Sequence, residues 1–146
     1  MLNSGEGRVL VVEDQAPMRR LIVLWLRRNG FVVFEAADAE QGLACLRRHP
    51  HTIDLAIIDV VGTHGLDLAA EMGRDYRSTV ILYISGYIDS LAVQAISWRS
   101  PECLLMKPLH ERIFMERVRR LLKLPSTTAG LEHSPQAGDD VPRRIV

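Results

Sequence analysis

The sequence has little cysteine, no excess of either charge and no long apolar run, and each of these absences excludes a class of protein. Cys45 and Cys103 lie in separate apolar segments without a CxxC spacing, which favours free, buried thiols in a reducing compartment over a disulfide or a metal site. The 18 basic and 18 acidic residues cancel, so no net charge favours nucleic acid or an anionic membrane surface. No segment reaches the roughly 18 apolar residues of a membrane span.

The N-terminus lacks the basic and apolar segments of an export signal, so we expect a cytoplasmic protein that contacts neither membrane nor, directly, nucleic acid. A chain of 146 residues fits one domain. We place that domain at residues 8–124, after a short extension at 1–7. From Pro125 to Val146 the residues are mostly Pro, Gly, Ser, Thr and Asp without helical or strand periodicity, which predicts a flexible tail.

Short β-branched or apolar runs alternate with segments of helical periodicity along the domain. The predicted strands are 8–12, 31–35, 53–59, 79–84 and 102–106. The predicted helices are 15–29, 38–48, 66–73, 88–98 and 109–122. Strands that alternate with helices long enough for crossovers predict an α/β sandwich around a parallel sheet.

Polar residues able to carry out chemistry follow four of the predicted strands. They are Glu13 and Asp14 after the first, Asp59 after the third, Ser85 after the fourth and Lys107 after the fifth. In a parallel sheet these exits lie along one edge, where open α/β folds bind their ligands. A buried strand has no structural need to end in a charge, so the pattern indicates a functional site.

Three carboxylates at one edge repel one another, and a divalent cation together with Lys107 would balance their charge. Oxygen ligands are those that Mg²⁺ prefers. Such a site could polarise a phosphoryl group and allow Asp59 to attack it, as in aspartyl-phosphate chemistry. Lys107 and the Ser85 hydroxyl would then bind the phosphoryl oxygens.

From about Arg8 to Leu122 the chain resembles the receiver domain of two-component response regulators. The resemblance rests on the acidic pair, Asp59, Ser85-Gly86 and Lys107-Pro108, in this order after their strands. It implies a flavodoxin-like (βα)5 fold with strand order 2-1-3-4-5. It also implies that Asp59 accepts phosphate from a histidine kinase or phosphotransfer protein, while Glu13, Asp14, Asp59 and the Val61 carbonyl hold Mg²⁺. Lys107-Pro108 is then expected to be a cis peptide.

The sequence departs from the family pattern at two places. Gly65 follows Asp59 after six residues, sooner than usual and without the Met-Pro pair of the family, so the loop is short. Leu104 occupies the position, three residues before the lysine, where many receivers carry an aromatic switch residue. Switching is therefore expected to use Ser85 and movement of the fourth helix. The positions expected to tune the switch or its rate are Ser85, Gly86, Tyr87, Leu104 and Pro108.

The resemblance implies a signalling switch rather than an enzyme. Its output is expected through a downstream protein that contacts the face of the fourth helix, fifth strand and fifth helix, which is also a possible homodimer surface. Val61 and Tyr87 flank the path of the attacking water in this family, which predicts slow self-dephosphorylation. The chain is interpreted as a single-domain regulator or as a receiver from a hybrid kinase, which the stretch Ile84-Ser85-Gly86-Tyr87 resembles in particular.

Several alternatives remain at this stage. A pseudo-receiver that binds proteins without phosphorylation would explain the short loop, whereas a phosphatase with an aspartate nucleophile would place a second aspartate where Val61 stands. His64 is expected to face solvent. Trp98 is either core packing or an exposed anchor for a partner. The basic run of the last helix is expected to form a solvated face, with the binding of acidic partners as the alternative, and consists of Arg117, Arg119, Arg120 and Lys123.

Overall fold

The computed structural model of the protein describes residues 7–86 and 90–126. The predicted extension up to residue 6, the segment Tyr87 to Asp89 and the predicted tail from residue 127 onward lie outside the described residues. Within the described ranges, no helix combines the length and apolar character needed to cross a bilayer.

The described chain alternates between strands and helices, as the sequence predicts. The strands are β1 (Gly7–Val12), β2 (Phe31–Ala36), β3 (Leu55–Asp59), β4 (Val80–Ser85) and β5 (Leu104–Met106). The helices are α1 (Ala16–Arg28), α2 (Ala39–Arg48), α3 (Gly65–Asp75), α4 (Leu91–Arg99) and α5 (Glu111–Leu121). All strand pairs are parallel, in the order β2-β1-β3-β4-β5. The predicted fold class and strand order are therefore confirmed.

The sheet carries an apolar cluster on each face, which explains why β1 and β3 read as continuous apolar runs. On one face, alternate residues such as Val11 and Ile57 pack against α1 and α5, where Trp25 and Phe114 lie with ring centroids 5.6 Å apart. On the other face, the intervening residues pack against α2 and α3. Burial on both faces fixes the register of the central strands, and therefore the height at which each strand ends.

The ends of α1 and α2 follow from local sequence signals. Gly30, with a positive φ of 93°, terminates α1, as Asn29-Gly30 predicts. Asp38 caps α2 by accepting the Gln41 N–H at 2.9 Å, and the Gln41 side chain returns to the Ala37 N–H. These caps set the points at which the chain enters and leaves the helices beside the sheet edge.

The segment before β5 differs from its predicted strand. The prediction began the strand at Glu102, but Pro101–Cys103 forms a 3-10 turn closed by the Cys103 N–H to the Ser100 carbonyl, and the strand begins at Leu104. Pro101 at the first position of the turn has the φ that a helical turn requires. β5 is thus only three residues long.

Helix α4 packs less closely on the sheet than the other helices. Ser90 caps it by accepting the Val93 N–H at 3.0 Å, and Val93 is its only buried residue. Leu91 and Trp98 are 83% and 86% exposed. Core packing, one of the two readings of Trp98, is therefore wrong, and Trp98 is an exposed aromatic residue on a largely apolar helix.

The prediction that the basic run of the last helix forms a solvated face is wrong for two of its four residues. Arg119 is buried and stacks over the Phe31 ring at 5.8 Å, while Arg117 is half-buried. Only Arg120 and Lys123 are exposed.

Three further side chains can be compared with their predicted environment. Leu21 repeats at helical spacing with Met18, Ile22, Trp25 and Leu26, the apolar pattern that predicts α1, but it is 39% exposed. Of the two thiols predicted to be buried, Cys45 is buried but Cys103 is partly exposed.

Candidate functional site

Glu13 and Asp14 follow β1 but occupy different environments. Glu13 is 1% exposed, whereas Asp14 is exposed. The Glu13 carboxylate accepts a hydrogen bond from the Gln15 N–H at 3.0 Å. The main-chain carbonyl of Glu13 accepts one from Arg19 Nη1 at 2.7 Å. The Glu13 side chain therefore accepts the N–H of the residue directly before α1 and stabilises the chain at the entry to that helix.

Asp59 ends the central strand β3 and is 4% exposed. Its Oδ1 accepts the Val61 N–H at 3.0 Å, and its Oδ2 lies 2.6 Å from Lys107 Nζ. Burial of a carboxylate is costly unless its charge is balanced, and the ammonium provides that balance. The pairing of β3 with β1 and β4 places Asp59 between the other polar strand ends.

Lys107 reaches the two buried acids from the end of β5. Its backbone N–H donates to the Ser85 carbonyl at 2.8 Å, which aligns the exits of β4 and β5. Its Nζ donates to Asp59 and to Glu13 Oε1, the latter at 3.3 Å. The peptide bond to Pro108 is cis, which confirms that prediction.

The electrostatics of the site are unbalanced towards negative charge. Burial, together with the hydrogen bond and charge of Asp59, raises the pKa of Glu13 to about 7, against the opposing effects of the Gln15 N–H and Lys107. Burial alone would lower the pKa of Lys107, but its bonds and attraction to Asp59 and Glu13 outweigh burial and raise it. The ammonium is held in its charged form, yet it does not compensate three carboxylates.

The three acids fit a divalent cation. Glu13, Asp14 and Asp59 each offer a carboxylate oxygen, and these oxygens all lie within 4.8 Å of one another. They adjoin a cleft of about 350 Å³ lined by Asp14, Gln15, Asp59, Val61, Gly62, Gly86 and Lys107. Clustered oxygen ligands at an open cleft suit Mg²⁺, which keeps part of its water shell. Burial first, and then the hydrogen bond and charge of Asp59, raise the pKa of Glu13, and a bound cation would favour its ionised form.

The loop between β3 and α3, residues 60–64, packs tightly under the acids. A Cβ at Gly62, which has a φ of 83°, would lie 2.5 Å from Asp14 Oδ2. Thr63 is fully buried, and its hydroxyl donates a hydrogen bond to the Asp59 carbonyl. Sequence reasoning missed Gly62 and Thr63. A glycine in a polar loop gives a weak signal, and no feature of the sequence alone indicates that Thr63 points inward.

The remaining predicted site residues occupy a range of positions. Ser85 is buried at the end of β4, while Gly86 and Val61 line the cleft. Leu104 is 8% exposed at the start of β5, and Pro108 is exposed beside the lysine. Tyr87 lies outside the described residues. The exposed His64 has a left-handed φ of 60° at the start of α3 and is not among the clustered acids and their lysine.

Comparison with known families decides what this edge of the sheet represents. The family model of the response regulator receiver domain matches residues 9–119. The chain belongs to this family. Receiver domains are signalling modules that interact with histidine kinases or phosphotransfer proteins and bind Mg²⁺ at an acidic pocket. This receiver domain retains all the acids of that pocket and the lysine, so a pseudo-receiver is not favoured.

Similar proteins include transcriptional regulatory proteins and a sensor kinase. The receiver domain is 25% identical over 131 residues to the transcriptional regulatory protein ResD of Bacillus subtilis, covering 88% of this chain and 53% of ResD. It is 32% identical over 121 residues to the transcriptional regulatory protein AruR of Pseudomonas aeruginosa, covering 80% of this chain and 49% of AruR. The chain thus spans about half the length of these curated relatives.

Among solved structures, the receiver domain from the hybrid histidine kinase CckA superposes with a TM-score of 0.64 at 30% identity. The match covers 80% of this chain and 99% of the CckA domain.

Proposed function

We propose that this receiver domain is a phosphorelay switch in which Asp59 accepts a phosphoryl group from a histidine kinase or phosphotransfer protein in the cytoplasm. The observation that carries the proposal is the position of Asp59, buried at the end of the central strand with Lys107 Nζ at 2.6 Å. The adjoining cleft is large enough for a phosphoryl group and is bordered by Asp14, Val61 and Gly86.

Glu13, Asp14 and Asp59 would hold the Mg²⁺ ion, with the carbonyl of Val61 as a further ligand. The three carboxylate oxygens support this assignment by their proximity, and Val61 supports it by lining the same cleft. A bound Mg²⁺ would polarise the phosphoryl oxygens and offset the negative charge of the acids. Lys107 would stabilise the same oxygens from the side of β5, and Ser85 would do so from the end of β4.

The residues of this chain would perform the transfer by positioning and charge. An Asp59 carboxylate oxygen forms the bond to phosphorus as the P–N bond to the donor histidine breaks, and the electron pair leaves with the imidazole nitrogen, which then takes a proton. Lys107 must release part of its contact with Asp59 Oδ2 to reach the new phosphoryl oxygens. The domain thus catalyses its own modification, without turnover of a separate substrate.

The change in Lys107 would be transmitted through β5 and α5. Arg117 Nη1, on α5, donates to the carbonyls of Glu102 and Leu104, both at 3.0 Å, so α5 is tied to the strand that carries the lysine. Leu104 offers no aromatic ring for a rotamer switch. Phosphorylation would therefore shift the population of states of the α4-β5-α5 face through Ser85, β5 and α4.

A downstream protein target is proposed to bind the α4-β5-α5 face. The exposed apolar side chains of Leu91 and Trp98 on α4 support this assignment, since large apolar side chains grouped on a surface mark contact sites. The same face could also bring two copies of the chain together as a homodimer.

Calorimetric titration with Mg²⁺ and then beryllofluoride, a phosphoryl mimic, tests the proposed site. Wild-type protein is expected to bind both, and Asp59→Asn is expected to lose beryllofluoride binding. Asp67→Asn, which removes an exposed carboxylate at the start of α3, is the matched control and should bind like wild type. Failure of the wild-type protein to bind beryllofluoride in the presence of Mg²⁺ would overturn the proposed function.

A further inference from the structure

Thr63 is the only residue of the loop at 60–64 whose side chain is fully buried. A buried hydroxyl almost always has a hydrogen-bond partner, and this one donates to the main-chain carbonyl of Asp59. The bond closes the loop on the same residue that carries the proposed phosphoacceptor group. The carbonyl of Thr63 in turn accepts the Ala39 N–H at 2.8 Å, which attaches the loop to the start of α2.

The peptide groups between Asp59 and Thr63 are held from several sides. The Val60 N–H donates to the Ile84 carbonyl at 3.1 Å, and the Val61 N–H donates to Asp59 Oδ1 at 3.0 Å. The Thr63 hydroxyl donates to the Asp59 carbonyl, which belongs to the same peptide group as the Val60 N–H. Together these bonds restrain the Asp59–Val60 and Val60–Val61 peptide groups, the two that lead to the Val61 carbonyl.

Gly65, the first residue of α3, lies in close contact with the loop and with the end of β3. A Cβ at Gly65 would lie 2.9 Å from Thr63 Oγ1, 2.9 Å from the Asp59 carbonyl and 2.4 Å from the Ile58 side chain. Gly65 thus allows α3 to begin directly behind the Thr63 hydroxyl. A loop this short has no spare residues with which to adjust the direction of its carbonyl groups, so its conformation depends on specific bonds.

We propose that Thr63 is a positioning residue of the phosphorylation site. By binding the Asp59 carbonyl, its hydroxyl orients the Asp59–Val61 segment so that the carboxylate and the Val61 carbonyl face the acid cluster. The inference rests on the proposed function, because it assigns Thr63 a purpose in metal binding and phosphorylation. Thr63 does not touch the reacting atoms itself and acts through the backbone.

Substitutions that differ by one hydroxyl group test the role. Thr63→Val keeps the shape of the side chain and removes the donor, while Thr63→Ser keeps the donor and loses a methyl group. The dissociation constant for Mg²⁺ is expected to rise in Thr63→Val, by at most about tenfold, because re-ordering the loosened segment costs no more than the one hydrogen bond that is lost, and to stay near wild type in Thr63→Ser. A side chain needed only for packing would give the opposite ranking, which would overturn the proposal.

Amide hydrogen exchange in the metal-free protein separates this inference from the proposed function. The amides of Val61 and Ala39 are expected to exchange faster in Thr63→Val than in wild type, while the amide of Ile57 in the core of β3 keeps its protection. If the amides of Val61 and Ala39 exchange at the same rates in Thr63→Val as in wild type, the positioning role is refuted. This result is independent of whether wild type binds Mg²⁺ and of whether the proposed function is right. Should Thr63→Val not fold, Thr63→Ala and Thr63→Ser form a second pair that differs only in the hydroxyl.

Discussion

Glu13 is the most deeply buried carboxylate of the acid cluster, and its environment couples metal binding to pH. Burial and the neighbouring Asp59 raise its pKa to about 7, so the metal-free site holds a proton at and below neutral pH. A bound Mg²⁺ requires the ionised carboxylate, and the proton must leave.

The affinity for Mg²⁺ is therefore expected to fall as the pH drops below about 7, by up to tenfold per pH unit, and to level off above that value. Titrations of Mg²⁺ at several pH values between about 6 and 8 measure the slope. Glu13→Gln, which keeps the shape but cannot lose a proton, should bind more weakly with little dependence on pH. A wild-type affinity that is constant across this range would contradict the assignment.

Lys107 stabilises the fold in the absence of metal because it is the cation beside two buried acids. Its Nζ lies 2.6 Å from Asp59 and 3.3 Å from Glu13, and its side chain is 21% exposed. Lys107→Met would leave these acids without their ammonium. Since partial exposure screens the charges, we expect a loss of about 2–3 kcal/mol in the free energy of unfolding near neutral pH.

Urea unfolding with and without Mg²⁺ measures this loss, and the cation should recover part of it. Lys123→Met makes the same chemical change at an exposed lysine and serves as the control. Equal stability of the two variants without metal would show that the ion pairs at the site contribute nothing.

At the residue scale, the sequence predicts the charged groups better than the groups that orient them. Glu13, Asp14, Asp59 and Lys107 could be identified because each follows an apolar run, and parallel strands bring their ends together. Thr63 and Gly62 could not, since their roles depend on distances across a short loop. The burial of Arg119 could not be predicted from the sequence either, because its contact with Phe31 joins residues far apart in the chain.

At the scale of elements, the loop between β3 and α3 is expected to be sensitive to substitution. Gly62 has a φ of 83°, and a Cβ there would lie 2.5 Å from Asp14 Oδ2. Gly62→Ala is expected to displace Asp14, weaken Mg²⁺ binding several-fold and cost about 1–2 kcal/mol in the free energy of unfolding, as a strained left-handed residue does.

Gly73→Ala provides the matched control, because a Cβ at Gly73 in α3 would meet no atom within 4 Å apart from its chain neighbours and the backbone of its own helix. That change should stabilise the protein by about 0.5–1 kcal/mol and leave Mg²⁺ binding unchanged. Calorimetry and thermal unfolding of both variants make the comparison. Unchanged Mg²⁺ affinity in Gly62→Ala would argue against a role for the loop in the metal site.

Helix α4 offers a built-in reporter of switching. Trp98 is 86% exposed on this helix, whereas Trp25 is 7% exposed in the core. In a Trp25→Phe background, the fluorescence of Trp98 is expected to change when Mg²⁺ and beryllofluoride are added, because the α4-β5-α5 face shifts. Adding Asp59→Asn to that background should abolish the change. An unaltered spectrum despite demonstrated beryllofluoride binding would exclude α4 from the response.

The periodicity of apolar residues identified most helices and strands. The exceptions are the start of β5 and the buried face of α4. β1 and β3 are buried on both faces and read as unbroken apolar runs, and α1 carries a clear stop at Gly30. The predicted start of β5 was two residues early, because Pro101 favours a helical turn before the strand. The apolar residues of α4 gave no clear buried face, so the exposure of Trp98 could not be predicted from spacing.

In the whole molecule, the order of the strands brings residues that are far apart in the sequence together in one site. β1, β3 and β5 end at the same edge, so that Glu13, Asp59 and Lys107 meet although 94 residues separate the first from the last. The alternation of strands and helices predicts a parallel sheet, whereas the strand order was implied by the resemblance to receiver domains. The geometry of the cleft needed the structure, since it depends on how the short loop packs.

Phosphorylation by a small-molecule donor tests the central claim most directly. Protein incubated with Mg²⁺ and acetyl phosphate is measured by intact-mass spectrometry, and the modified residue is located by peptide mapping. We expect the addition of one phosphoryl group, located on Asp59, that is absent in Asp59→Asn and when Mg²⁺ is chelated. No added mass in the wild-type protein, or a phosphoryl group on another residue, would contradict it.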